Sequence, residues 1–221
     1  MMKFRLSMVS FVSRGLWLLA VLSLLNHQNA RASSGEEIIK KVQAKIQSIP
    51  ALTLRFSAQI QMEGDLIEEE GRIYFAQGGR FRMESSGQLL ICDGKTLWAY
   101  APADSQVVVF AAEAGGASFF TPQQLLFDYP DKYEVKSVEN VQHGGLPCYL
   151  LTMIPREVTD PVASLKVWVD RKEYLTRRIE IEELTESKAG FSFEDIEIRQ
   201  NLPDSTFQFA PPPSVEVIDM R

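Results

Sequence analysis

The chain has 221 residues, 45% of them hydrophobic, with 29 acidic against 23 basic side chains and a formal net charge of −6. That balance favours solubility and argues against nucleic acid as a partner. Two cysteines and two histidines in the whole chain leave no spacing that reads as a disulfide framework or a transition-metal site.

The start reads as a secretory signal. Lys3, Arg5 and Arg14 give a basic stretch, and residues 15–25 (GLWLLAVLSLL) form an uncharged apolar run. That run is about half of the roughly 20 residues needed to cross a bilayer. Ala30-Arg31-Ala32 places small residues where a signal peptidase reads, so cleavage is expected before Ser33. Loss of residues 1–32 removes four basic side chains and no acidic one, which takes the net charge from −6 to −10. The segment 33–221 is expected to form a single exported domain. In it Cys92 and Cys148 lie far apart, each in an apolar run, and read as small half-buried hydrophobes rather than a disulfide.

Ser34-Gly35-Glu36-Glu37 has the spacing of a capping box, and Ile38, Ile39, Val42, Ile46 and Ile49 follow at helical spacing until Pro50. The period then changes to two. Leu52, Leu54, Phe56, Ala58, Ile60 and Met62 alternate with polar residues, which predicts a long strand with one dry and one wet face. Glu68-Glu69-Glu70 reads as a solvated strand start. Strands are predicted at 72–76, 80–84, 88–92, 96–100 and 106–110, separated by Gly78-Gly79, Ser86-Gly87, Asp93-Gly94 and Pro102-Ala103-Asp104.

Thr121-Pro122-Gln123-Gln124 opens a short helix completed by Leu125, Leu126 and Phe127. Strands are predicted again at 133–138, 148–154, 165–170, 176–184 and 191–199. In the last of these the apolar phase slips from Phe191 and Phe193 to Ile196 and Ile198, which predicts a β-bulge at Glu194-Asp195. Residues 202–221 form a proline-containing tail in which Phe207 and Phe209 are expected to be buried.

The fold class is mainly β (α+β): about eleven strands in a single, strongly curved antiparallel sheet, with two or three short helices. Either the sheet closes around a side-chain core, or it curves around a cavity covered by the helices. Composition does not separate the two. Catalytic signatures are missing: no GxSxG, P-loop or GxGxxG occurs, and His143, the one histidine after residue 32, sits before a Gly-Gly turn. An enzyme is not expected.

Two segments carry a family likeness. Residues 91–100 (ICDGKTLWAY) resemble the DGKTLW hairpin of outer-membrane lipoprotein carrier (LolA) proteins. Residues 207–219 (FQFAPPPSVEVID) resemble that family's F-x-F-x-PP-x-G-V-x-V-x-D ending, with Ser214 in place of Gly. The order of elements agrees along the exported segment.

The resemblance implies an unclosed β-barrel with a helical lid. It also implies a periplasmic, monomeric carrier with no cofactor. Such a carrier takes acylated lipoproteins from an inner-membrane ABC transporter and hands them to an outer-membrane receptor. It places the acyl-chain cavity at Ile73, Phe75, Phe81, Met83, Leu90, Trp98 and Tyr100, with lid contributions from Phe119, Phe120, Leu125, Leu126 and Phe127. Where the family has a latching Arg followed by Pro, this chain reads Ala76-Gln77-Gly78-Gly79-Arg80. Gln77 holds the latch position and Arg80 is the nearest guanidinium, which is the departure expected of a divergent paralogue. The alternative on the same fold is a lipid-binding sensor or regulatory protein, or a carrier of another lipid.

Overall fold

The computed structural model describes residues 35–62, 64–115 and 121–221. The expected signal segment 1–32, the expected capping residue Ser34 and the lid candidates Phe119 and Phe120 lie outside them. Helix α1 (residues 35–47) precedes a meander of β1 (Ala51–Met62), β2 (Asp65–Ala76), β3 (Arg80–Ser85), β4 (Leu89–Asp93), β5 (Thr96–Ala101) and β6 (Gln106–Ala111). Helix α2 (Ala112–Gly115), a π-helical turn (Gln124–Asp128) and α3 (Tyr129–Lys132) follow. The second meander is β7 (Tyr133–His143), β8 (Leu146–Pro155), β9 (Val162–Asp170), β10 (Thr176–Glu183) and β11 (Lys188–Arg199), and the short β12 (Glu216–Asp219) follows in the tail.

The twelve strands of the described residues form one sheet in the order β12-β6-β5-β4-β3-β2-β1-β11-β10-β9-β8-β7. Long β1 joins the two meanders by pairing with β2 on one side and β11 on the other. The sheet ends at β12 and β7 without closing by hydrogen bonds. A twelfth strand adds to the about eleven read from the sequence, and its pairing with β6 is parallel. Four residues ending a tail without a period carry too little local signal to be read as a strand. The acidic run is also corrected in place: Glu68, Glu69 and Glu70 lie inside β2 and pair with Gln59, Ala58 and Ser57.

Local chemistry explains the curvature. Gly71 packs so closely on β3 that a Cβ there would lie 1.8 Å from the Glu84 carbonyl oxygen, so no larger residue lets β2 cross β3 at this point. On the other flank of β1, Asp195 and Ile196 together oppose Leu54, and Asp195 takes φ +49°. This is the bulge expected from the slip of apolar phase, and it deepens the local twist. The Asp93-Gly94 turn also forms as read. Gly94 has φ +96°, and Asp93 Oδ1 accepts from the Lys95 and Thr96 amides, each at 2.8 Å.

Both faces of the sheet are partly covered. The concave face, α1 and the π-turn form one large apolar cluster that includes Val42, Leu54, Phe56, Phe75, Leu125 and Phe191. On the convex face the tail folds back. Phe207, 2% exposed, packs with Ala51 and Ala76 in a second cluster. Phe209 is half-buried against Tyr100, with ring centroids 5.8 Å apart. Cys92 and Cys148 are both buried and free.

Candidate functional site

Strand register sorts the expected cavity residues. One cross-strand row on the concave face runs Leu54, Ile73, Met83, Leu90, Ala99, and a second runs Leu52, Phe75, Phe81, Cys92, Leu97. Five of the seven cavity candidates, Ile73, Phe75, Phe81, Met83 and Leu90, therefore share one apolar surface, each at most 6% exposed. Burial also pushes the Cys92 thiol up, so at neutral pH it acts as a small hydrophobe in this wall.

Trp98 and Tyr100 are a correction. The two-residue turn at Gly94-Lys95 sets Leu97 opposite Cys92, so Trp98 pairs with Ile91 and Tyr100 with Leu89 on the convex face. A shift of one residue along a strand reverses its facing. The inward positions of β5 are Leu97 and Ala99. Tyr100 of this pair meets Phe209 of the tail instead.

The lid is built as a capped, widened helix. Thr121 Oγ1 accepts from the Gln124 amide at 3.3 Å, and Gln124 Oε1 accepts from the Thr121 amide at 3.1 Å, a reciprocal capping box. Pro130 has no N–H to offer the turn before it, and the π-helical turn lies immediately upstream, at Gln124–Asp128. Leu125, Leu126 and Phe127 all lie buried, at 1%, 6% and 8% exposure. Phe127 stacks on Phe75 with ring centroids 3.9 Å apart. The apolar wall is thus covered by the protein's own side chains.

Polar ties hold this cover at its far end. The Tyr129 hydroxyl and Thr176 Oγ1 are 3.0 Å apart, and both residues are buried. Burial keeps the Tyr129 phenol protonated well above its ordinary range. Gln43 of α1 donates to Asp131 Oδ1 of α3 at 2.6 Å, and Lys41 of α1 donates to the Tyr174 hydroxyl at 3.1 Å. Tyr129, Thr176, Gln43 and Asp131 were not among the expected site residues. The only sequence signal for them is that Tyr129 falls one helical turn after Leu125.

The hydrogen bonds of both latch candidates among the described residues go to α1 and its following loop, to the β2–β3 turn and to the tail. Gln77 Nε2 donates to the Gln47 carbonyl at the end of α1, at 3.4 Å, and its amide N–H donates to the Pro50 carbonyl at 3.0 Å. Arg80 is engaged by the tail. Its Nη1 lies 2.8 Å from Asp204 Oδ1, and its guanidinium sits over the Phe207 ring at 5.1 Å.

Among the described residues no cluster of His, Cys, Asp and Glu is placed to hold a metal, and no helix is long and apolar enough to cross a membrane. A convex-side groove of about 520 Å³ is walled by Thr53, Arg55, Arg72, Tyr74 and Asn201. Its wall is mixed, since Leu54, Ile73 and Leu202 line it beside Asp195, Glu197 and Arg199.

Residues 47–210 match the family model of the outer membrane lipoprotein carrier protein LolA, well over half of the chain. The chain belongs to the LolA family. An outer-membrane lipoprotein carrier protein of Vibrio parahaemolyticus is 29% identical over 211 residues, covering 91% of this chain and 93% of that one. An uncharacterized protein of Methanocaldococcus jannaschii is 22% identical over 84% of this chain, which spans only 54% of that relative's length. An uncharacterized conserved protein of Thermus thermophilus has the same fold, with a TM-score of 0.55 at 15% identity, over 84% of this chain and 99% of that one. In this LolA-family chain the two motifs behind the resemblance meet on the convex face, where Tyr100 of the hairpin faces Phe209 of the tail.

Proposed function

We propose that the protein is a periplasmic carrier. Exported by cleavage of residues 1–32, it would work as one domain spanning 33–221 and bind the acyl chains of lipoproteins against the concave wall. It would accept them from an inner-membrane lipoprotein-releasing ABC transporter and yield them to an outer-membrane receptor. The carrier acts as a monomer, without cofactor or catalysis. The observation that carries this reading is the Phe75–Phe127 stack, an apolar wall closed by a lid whose contacts a hydrocarbon chain can replace.

Magnitudes support exchange. A palmitoyl-length chain represents roughly 12 kcal/mol of avoided exposure at about 0.8 kcal/mol per CH₂. Displacing the buried Leu125, Leu126 and Phe127 side chains forfeits about 1.5–3 kcal/mol each if they become exposed. The difference leaves a net gain of several kcal/mol, enough to hold cargo in water and small enough to release it. The guest takes the place of the lid side chains on Ile73, Phe75, Phe81, Met83 and Leu90.

The test is release from spheroplasts. Purified protein is added to bacterial spheroplasts exporting an acylated lipoprotein or the same protein without its acylated cysteine. Soluble one-to-one complexes are expected with the acylated form alone. Equal capture of both forms, or of neither, refutes the carrier reading.

A further inference from the structure

We infer that the projecting half of β2 is a docking edge for an extended, basic segment of a partner protein. β3 pairs only with Gly71–Ala76, so Asp65–Glu70 is bound to β1 on one side and meets no strand of the described residues on the other. Six residues of strand make an unpaired edge of about 20 Å. Its backbone groups form a ready template for strand addition.

The side chains on this edge state what would fit. Leu66 is 61% and Ile67 45% exposed, both unusual for aliphatics on a strand edge. Asp65, Glu68, Glu69 and Glu70 surround them, and none of the four forms an ion pair among the described residues. Among the described residues Glu68 accepts from the neutral Gln59 amide, at 2.9 Å. At the β7 edge, by contrast, Glu134 is paired with Lys136. Carboxylates alone would serve to keep an edge soluble, but the aliphatics set between them add a contact that water does not favour.

Alternation divides the edge into two matching faces. Leu66, Glu68 and Glu70 share the convex side, opposite Gln61, Gln59 and Ser57, while Asp65, Ile67 and Glu69 share the concave side. Each face offers one aliphatic and two carboxylates. A strand lying antiparallel, in line with β3, complements both faces when it reads Lys-Lys-Lys-Val-Val-Lys. Opposite charges across the ladder select the partner and its register.

The test uses that hexapeptide, end-capped and fluorescently labelled, against the full exported protein by anisotropy. Saturable binding is expected, weakening as salt rises. It should weaken at least about tenfold in the E68K/E70K double variant and fall similarly with Leu66→Ser, both checked by circular dichroism for native folding. A peptide N-methylated at alternate amides should not bind. Absence of saturable binding overturns the inference, as does binding indifferent to N-methylation or to charge reversal. Acyl-chain uptake by E68K/E70K, read with a fluorescent fatty acid, should match the parent. Failure of the docking edge is therefore distinguishable from failure of the carrier reading.

Discussion

Phe127 of the π-turn lies on Phe75 of β2, ring centroids 3.9 Å apart and planes 23° from parallel. The pair joins a lid residue to the row of inward side chains that continues through Phe81 and Cys92. Every strand in that row is fixed by ladder hydrogen bonds, whereas the lid is held mainly by side-chain contacts. The lid is therefore the part that can leave at least cost.

Phe127→Ala should lower stability by about 3 kcal/mol, the low end for a buried phenylalanine. It should also raise uptake of a fluorescent acyl probe, because the lid then surrenders less on opening. Urea unfolding and probe titration measure the two effects. A loss under about 1 kcal/mol would show that the stacked contact contributes little.

The Tyr129–Thr176 hydrogen bond lies in the dry interior, so removing one partner strands the other. Tyr129→Phe and Thr176→Val should each cost about 1–2 kcal/mol, and the double variant little more than either. A double-mutant cycle with strictly additive losses would mean that the two hydroxyls do not act together. Because the phenol is held protonated by burial, no tyrosinate absorbance from Tyr129 should develop before alkaline unfolding.

Much of this was legible in the residues. The unbroken alternation of Leu52 to Met62 announces both the strand and its inward face, and the phase slip after Phe193 announces the bulge that Asp195 supplies. The Thr121-Pro122-Gln123-Gln124 start is local chemistry and forms as written. Facing was harder. Trp98 and Tyr100 alternate correctly but on the side chosen by hairpin register, and register is decided by the turn rather than by hydrophobicity, since Leu97 and Ala99 are equally apolar. Pairings between distant segments leave no local trace. Thr176 gives no hint of Tyr129, and the four residues of β12 pair with β6 only because the tail crosses the convex face.

Asp170 sets an acid limit. Burial alone would push its carboxyl up, but the Glu173 and Lys172 amides and the Arg177 guanidinium together outweigh burial and leave it below the ordinary value. A carboxyl depressed in the folded state stabilises fully above its unfolded pKa, about 3.9. That contribution is lost as pH falls through the folded value. Urea midpoints should hold from pH 7 to about 5 and then decline below about pH 4. In Asp170→Asn the midpoint should be lower throughout and the decline shallower. An unchanged acid slope in the variant would remove Asp170 from this role.

Gln77 tests how the cover is gated. Its amide reaches the Gln47 carbonyl at the C-terminal end of α1, at 3.4 Å, where the helix presents partial negative charge. Gln77→Arg brings a longer side chain and a full positive charge to the same carbonyls. Stability should rise by about 0.5–1 kcal/mol, and acyl-probe uptake in stopped flow should slow in proportion. Gln77→Ala should change stability by less than about 0.5 kcal/mol, as an exposed amide does, and leave uptake as fast or faster. Higher stability with unchanged uptake would place α1 outside the gate. The opening motion would then belong to the π-turn and α3 alone, with the Gln43–Asp131 contact as the joint that parts.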